Sequence, residues 1–406
     1  MNFIKYLIGH LLKVILFLLR PFIKIRFGLI IYRSYGRISG NIEYYLRCKA
    51  YNKKNNKEIH ILVSGTNPVN KQIIKMLKRH SFVIENDFLW TLLRKMQGTF
   101  PKQAGRQGDL DDHPMWINLR HAGFLVEWKI WKEIKPQLSF TDSEHIKGQQ
   151  LLTKIGLPNN AKYVCIMARD KAFVDSPDYV RKLDDPFSFN DYRDCDINTF
   201  LSAAEWLTKQ GIWVVRMGIQ VVGPMDTNNN KMIIDYASYY RRHLTDPDFA
   251  DLYIHGNCFF YLGCPAGPYY FSHIFNVPIA MINGAPLAEC GRNDHDLFII
   301  KKYFNRKKHC FMTFKQMVER GAHWNRLWHD KQKEFEDEGI IYIDNTPEEI
   351  LDITKEMYYR LNGTWTTKEE DIMYQNNFKK IFPEDSLMRD FPGYMGYKFA
   401  KKYASA

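Results

Sequence analysis

Four apolar runs in this chain each end in a charge or a glycine. Residues 162–170 (KYVCIMARD) end in Arg169-Asp170, and 212–218 (IWVVRMG) end in Arg216-Met217-Gly218. Residues 232–237 (MIIDYA) reach Asp235-Tyr236, and 258–263 (CFFYLG) stop at Gly263. If the runs are neighbouring strands of a parallel sheet, their last residues gather along one edge, where open α/β sheets bind ligands. Two arginines on that edge suit a diphosphate, because a guanidinium bonds phosphate oxygens in pairs. Arg169, Arg216 and Asp170 are therefore the candidates for chemistry. Each charge taken singly is equally well a solvated strand-end residue; the four endings together favour a phosphate-bearing ligand.

The elements that must place these residues are legible in outline. Within residues 248–284 the pattern is a helix, a buried strand, the turn Gly263-Cys264-Pro265-Ala266-Gly267-Pro268, a second helix from near Pro268, and a second strand. A strand followed by a glycine turn and a helix offers backbone N–H groups and a positive dipole end, which adds Gly263, Ala266 and Gly267 to the phosphate site. The turn lacks the glycine spacing of a dinucleotide or P-loop motif, so by itself it reads as an ordinary connection. Gly218, Tyr192, Arg193, Asp235, Tyr236, Asp248 and Asp251 are candidates for the walls of a nucleotide pocket. Residues 340–343 read as a last strand, and Thr346-Pro347-Glu348-Glu349 as a capping box with an N1 proline.

The first part of the chain also alternates strand and helix. Residues 35–43 form a glycine-rich stretch expected to turn into a helix at Asn41, with Glu43 in its first turn. Residues 58–64 and 82–84 read as strands around a helix at 71–79, giving a first α/β domain. The glycine stretch could hold an acceptor or merely turn the chain. Gly40, Asn41, Glu43 and Asp112 are the acceptor-side candidates. Asp112 belongs to the run Gly108-Asp109-Leu110-Asp111-Asp112-His113, whose spacing fits no metal motif and reads as a solvated loop; no metal is expected.

The chain has 406 residues and a formal net charge of +12. Residues 1–57 carry twelve Lys/Arg against the single acid Glu43; the rest is almost neutral. A nucleic-acid-binding body is disfavoured, and a basic end meeting an anionic surface is favoured. Residues 3–19 (FIKYLIGHLLKVILFLL) are too interrupted by charge to span a bilayer, but place Lys5, His10, Lys13 and Arg20 on one side of a helical wheel. The expectation is a basic amphipathic helix lying on an anionic membrane, continued by the apolar-plus-basic pattern of residues 22–31. Seven cysteines with no CxxC spacing indicate a reduced chain without a disulfide framework.

The segments VCIMARD, YRDCDI, WVVRMG, IDYA, DFADLYIHGNCFFYLG and GRISGNIEYYL, in their places within residues 35–300, resemble a family of bacterial glycosyltransferases. The arrangement is also similar to the distant fucosyltransferase group, whose His-x-Arg motif binds the donor diphosphate; here Met167 stands at the His position, leaving Arg169 as the carried-over residue. The resemblance implies an α/β fold of GT-B type, with two Rossmann-like domains facing a cleft, to which the residue pattern adds the N-terminal membrane helix. Its expected segments are 1–31 (membrane-associating), 32–150 (acceptor domain), 151–365 (nucleotide-sugar domain) and 366–406 (helices crossing back to the first domain). The implied activity is metal-independent hexosyl or deoxyhexosyl transfer, with no cofactor, from a nucleotide diphosphate sugar to a cell-surface glycan such as lipopolysaccharide or a lipid-linked acceptor. The implied location is the cytoplasmic face of the inner membrane, peripherally bound through residues 1–31. The alternatives are a nucleotide-sugar epimerase on the same fold and a non-catalytic membrane-surface binding protein.

Overall fold

The computed structural model describes residues 14–15, 18–19, 21–51, 58–98, 116–117, 119, 128–172, 175, 192–286, 293–321, 333–384 and 386–403. The chain divides into two compact units, residues 1–141 and 142–406.

Unit 1 is a four-stranded sheet with helical connections. Its elements are β1 (Lys24–Leu29), α1 (Tyr35–Tyr51), β2 (Glu58–Ser64), α2 (Lys71–Leu77), β3 (Phe82–Glu85), α3 (Asp87–Gly98), β4 (Trp116–Ile117) and α4 (Trp128–Glu133). The strand order is β3-β2-β1-β4 and every pairing is parallel. Phe27, Leu29, Val63, Leu92, Leu93, Met96 and Trp116 form its core. Helix α2 starts where the sequence placed its turn, with Asn70 Oδ1 accepting the Ile73 N–H at 3.0 Å.

The expected N-terminal membrane helix is overturned as a part of the architecture. No helix among the described residues is long and apolar enough to cross a membrane. Residues 24–29, expected to continue the amphipathic pattern, are an inner strand of the sheet with Phe27 and Leu29 buried. Their basic residues have protein partners: Arg26 lies 3.4 Å from Glu58 and donates to the Trp116 carbonyl at 3.0 Å, and Lys24 lies 3.5 Å from Glu58. An apolar run broken by basic residues thus serves a sheet whose next strand opens with a carboxylate. Residues 1–13 lie outside the described residues.

Unit 2 opens with α5 (Asp142–Lys154) and carries a seven-stranded sheet and a small antiparallel one. In chain order follow β5 (Tyr163–Met167), α6 (Leu201–Lys209), β6 (Trp213–Arg216), β7 (Ile233–Asp235), α7 (Tyr236–Tyr239), α8 (Pro247–Gly256), β8 (Tyr261–Gly263), α9 (Tyr269–His273), β9 (Ile279–Gly284) and β10 (Leu297–Ile300). Then come β11 (Lys302–Asn305), β12 (Cys310–Phe311), α10 (Phe314–Glu319), β13 (Ile340–Ile343), α11 (Pro347–Leu361), α12 (Glu369–Lys380), β14 (Tyr394–Met395) and α13 (Tyr397–Tyr403). The large sheet runs β14-β10-β9-β8-β5-β6-β7, parallel throughout. Strands β5, β9 and β10 are buried at every residue, as a sheet covered by helices on both faces requires. The chain lays down β5, β6 and β7 in one direction, then returns to place β8, β9 and β10 on the other side of β5. The order therefore reverses between β5 and β8, the kind of place where such sheets hold ligands.

Caps follow the sequence closely here. Thr346 and Glu349 form the capping box of α11 behind Pro347, and Asp246 caps α8. The C-terminal residues stay with unit 2: β14 pairs with β10, and the Glu356 carboxylate accepts the Tyr397 N–H at 2.7 Å. That contact fixes α13 on α11 within unit 2.

Candidate functional site

The carboxyl ends of β5 and β8 are aligned by register, Met167 lying opposite Gly263. Just beyond them the two turns are stitched together. The Cys264 N–H donates to the Met167 carbonyl at 3.3 Å, and the Arg169 N–H donates to Cys264 Sγ at 3.0 Å. Arg169 then turns its guanidinium to the Asp194 carboxylate, while its carbonyl accepts the Cys195 N–H at 3.0 Å. The same Asp194 receives a second cation: Lys301 Nζ donates to its carbonyl oxygen at 2.8 Å and lies 2.6 Å from the Asp344 carboxylate.

Lys301 follows directly on the last residue of β10 and is 2 % exposed. Its place is fixed by a buried amide exchange. Asn283 N–H donates to Asn345 Oδ1 at 2.6 Å, Asn345 N–H donates to Asn283 Oδ1 at 2.7 Å, and Asn345 Nδ2 donates to the Ile300 carbonyl at 2.9 Å. This holds the end of β9, the end of β10 and the segment carrying Asp344 in one block. Two cations from separate strands, Arg169 and Lys301, thus meet at one residue beside the point where strand order reverses. A buried ammonium needs such partners, and an anion of higher charge than Asp194 could replace them.

Arg216 ends β6 on the same edge and is already engaged by the protein. It is 3 % exposed and donates to Asp235 Oδ2 at 2.9 Å, the Gly223 carbonyl at 2.7 Å and Ser238 Oγ at 3.1 Å. Asp235 is equally occupied, accepting the Met225 N–H at 2.9 Å and the Ser238 N–H at 3.1 Å as well. Asp170 spends one oxygen on the Ala172 N–H (2.9 Å) and the other on the Val222 N–H (3.1 Å), fixing the loop after β6. Tyr236 and Asp251 form a buried network, with the Tyr236 hydroxyl donating to Asp251 at 2.9 Å and Arg241 pairing with it at 2.9 Å. Burial pushes the Asp251 carboxyl up, against the pull of Arg241. Asp248 sits in the first turn of α8. Tyr192 is buried against Tyr342, and its hydroxyl accepts Arg193 Nε at 3.1 Å.

The glycines also have structural occupations. A Cβ on Gly263 would stand 2.6 Å from the Met167 carbonyl oxygen, so close strand packing demands glycine there. On Gly218 it would stand 2.6 Å from Val221 Cγ1. The expected phosphate cradle after Gly263 is reduced: α9 has five residues, and the N–H groups of Tyr269, Tyr270 and Phe271 bond the carbonyls of Ala266, Gly267 and Pro268. Among the described residues no group of three or more His, Cys, Asp or Glu is placed to hold a metal.

On the first unit, the acceptor-side residues read from sequence lie inside the fold. Helix α1 begins at Tyr35, six residues before the expected start, so Gly40 and Asn41 are buried mid-helix positions. Glu43 is fully buried and bonds Arg47 Nε at 2.7 Å, the Gln137 N–H at 2.9 Å and the Leu138 N–H at 3.0 Å. Arg47 lies over the Trp131 ring at 4.0 Å, so the pair ties α1 to the segment around α4. Burial raises the Glu43 carboxyl, opposed first by Arg47. Asp112 lies outside the described residues. The carboxyl edge of this sheet offers another group: Asp87, exposed at the start of α3, accepts from the Tyr32 hydroxyl at 3.0 Å and from Thr66. Those bonds, the Thr66 hydroxyl first and then Tyr32, hold its carboxyl below the usual range. A Cβ at Gly65 would strike both the Tyr32 ring and Asp87, so glycine is what lets them close over the β2 turn.

Sequence reasoning missed Lys301, Asp194, Asp344 and the Asp87 group. Lys301 carried the same signal as Arg169, a cation ending an apolar run (LFIIKKYF), and could have been found by it.

No protein-family model matches the chain, and no curated protein does. Solved structures do. A glycosyl transferase family 9 protein from Veillonella parvula matches over 64 % of this chain and 80 % of its own, at 11 % identity and a TM-score of 0.38. The E. coli ADP-heptose lipopolysaccharide heptosyltransferase II matches over 63 % and 84 %, at 13 % identity and a TM-score of 0.35. The iron-containing dodecameric heptosyltransferase TibC, in complex with ADP-D-beta-D-heptose, matches over 83 % and 76 %, at 11 % identity and a TM-score of 0.38. None of these is described as a fucosyltransferase, and at such identities no residue correspondence follows.

Proposed function

We propose that the chain is a glycosyltransferase of GT-B type, taking its sugar from a nucleoside diphosphate donor bound at the carboxyl edge of unit 2. The observation that carries this is the convergence of Arg169 and Lys301 on Asp194 beside the β5–β8 reversal. A diphosphate brings more negative charge than Asp194 and offers oxygens to both cations. Arg169 would bind it bidentately and Lys301 as a compact charge. As the glycosidic bond to the donor breaks, charge builds on the departing diphosphate, and cations already in place stabilise it without a metal.

The acceptor is a hydroxyl of a cell-surface glycan or of a lipid-linked saccharide. Asp87, a unit 1 carboxylate held by Thr66 and Tyr32, is suited to accept a hydrogen bond from a sugar hydroxyl. Calorimetric titration with nucleoside diphosphates and their hexose and deoxyhexose conjugates tests the reading. Binding of one base family at 1:1 stoichiometry supports it, and no binding across the set contradicts it.

A further inference from the structure

The sheet of unit 1 has a reversal of its own. The chain lays down β1, β2 and β3 in one direction and then places β4 on the other side of β1. The carboxyl end of β1 therefore stands where such sheets hold ligands. It leads through Ile30 and Ile31 to Tyr32 and Arg33. Two bonds fix this turn: Trp90 Nε1 donates to the Ile30 carbonyl at 2.8 Å, and the Val69 N–H donates to the Tyr32 carbonyl at 2.9 Å. The Tyr32 and Trp90 rings then meet edge to face, with centroids 5.2 Å apart.

Each of these rings carries an arginine. The exposed Arg33 guanidinium lies 5.2 Å from the Tyr32 centroid, and the partly exposed Arg94 guanidinium lies 5.0 Å from that of Trp90. A guanidinium stacked on an aromatic face is held in place and keeps its fork of N–H donors for a further partner. Among the described residues neither guanidinium is ion-paired with a carboxylate. Asp87 shares the Tyr32 phenol, accepting its hydroxyl at 3.0 Å, and its other bonds go to Thr66. Those bonds hold its carboxyl low, and the charge of Arg33 adds to them. Two cations without counter-charge and a carboxylate open to a hydroxyl thus surround one aromatic pair tied to the end of β1.

We infer that Arg33 and Arg94 form an oxyanion subsite on unit 1, and that the acceptor saccharide carries a carboxylate or a phosphate near the hydroxyl bound by Asp87. Both groups offer paired oxygens to a guanidinium fork. A neutral sugar would leave both arginines without a counter-charge. Exposed Arg37 in the first turn of α1, a turn that holds no acid, keeps the surroundings positive. The inference rests on the reading of unit 1 as the acceptor side. It concerns which acceptors are taken and not the donor, so the two can fail separately.

The test is saturation-transfer NMR on the full chain with methyl glucoside, methyl glucuronide and a phosphorylated methyl glucoside. Transfer is expected to an anionic probe and not to the neutral one. Arg33→Gln and Arg94→Gln are each expected to weaken that binding on the order of 10-fold. Neither arginine is buried, and urea unfolding is expected to show both variants folded as wild type is. A response to the glucuronide alone identifies an acidic sugar, to the phosphate alone a phosphorylated acceptor, and to both a site that reads charge. Arg169→Ala is expected to keep the response, which separates this subsite from the donor edge. Equal response to all three probes, or response to none, would overturn the inference. So would a response lost in Arg169→Ala and kept in Arg33→Gln and Arg94→Gln. Anionic probes that bind as expected to a protein that takes no nucleoside diphosphate contradict the donor reading and leave the subsite standing.

Discussion

Arg216 and Asp235 end neighbouring strands, face each other in register, and pair at 2.9 Å with both side chains almost wholly buried. Both were ligand-site candidates in the sequence, Arg216 for the diphosphate and Asp235 for the nucleotide pocket, and in the fold they pair with one another. Arg169, by contrast, pairs with the Asp194 carboxylate, while Lys301 bonds the Asp194 backbone carbonyl and pairs with Asp344. The same edge therefore contains the Arg216–Asp235 pair and, separately, the two cations to which the proposal assigns the diphosphate.

Removing one partner of a buried pair leaves the other charge uncompensated. Arg216→Met is expected to destabilise unit 2 by about 3 kcal/mol. Denaturant unfolding measures the loss. Nucleoside diphosphate affinity, measured under conditions where the variant is folded, is expected to stay within about twofold, because a group bonded to Asp235, Gly223 and Ser238 contributes little to binding.

His255 is buried, its Nδ1 lies 2.8 Å from the Asp251 carbonyl oxygen, and burial lowers its pKa to about 4. Between that value and its ordinary 6.5 the unfolded chain takes up a proton that the native state does not. Its contribution to stability is therefore present above about pH 6.5 and lost as pH falls toward 4, by about 3 kcal/mol in all. His255→Gln lacks this component. Relative to wild type, the variant is expected to gain about 3 kcal/mol between pH 7 and pH 4 in urea unfolding. An equal difference at both pH values would contradict the assignment.

Asp87→Asn keeps the size of the side chain and removes its charge. Transfer at limiting acceptor is expected to fall on the order of 100-fold, with donor affinity unchanged. Acceptor-dependent kinetics and donor titration, run on the same preparation, separate the two effects. Unchanged acceptor kinetics would take Asp87 out of the reaction.

Charge neutralisation by Arg169 and Lys301 has a simple consequence for metals. Transfer is expected to persist in excess EDTA and to gain little from added magnesium or manganese. A rate that collapses in chelator and returns with a divalent ion would contradict this.

The alternation of strand and helix and the capping boxes of the second unit could be read from the sequence, because apolar periodicity and cap chemistry are local. The Thr346–Glu349 box is the clearest case. The functions of the charges could not be read so well. Ion pairs and ligand sites use the same residue types, and only the third dimension shows that Arg216 meets Asp235 while Arg169 meets Asp194 and Lys301 meets Asp344. Glycine was ambiguous in the same way: at Gly263 the close approach of the Met167 carbonyl is by itself enough to require it. Residues 24–29 misled because an apolar run with interspersed basic residues fits a membrane surface and also an inner strand whose neighbour supplies Glu58.

The central claim, that the strand reversal of unit 2 binds a nucleoside diphosphate through Arg169 and Lys301, is tested most directly by calorimetric titration of wild type, Arg169→Ala and Lys301→Met with the diphosphate that wild type prefers. The expected result is a loss of affinity of roughly 10- to 100-fold in each variant, with the unfolding transition of Arg169→Ala close to that of wild type. Full affinity in both variants would contradict it.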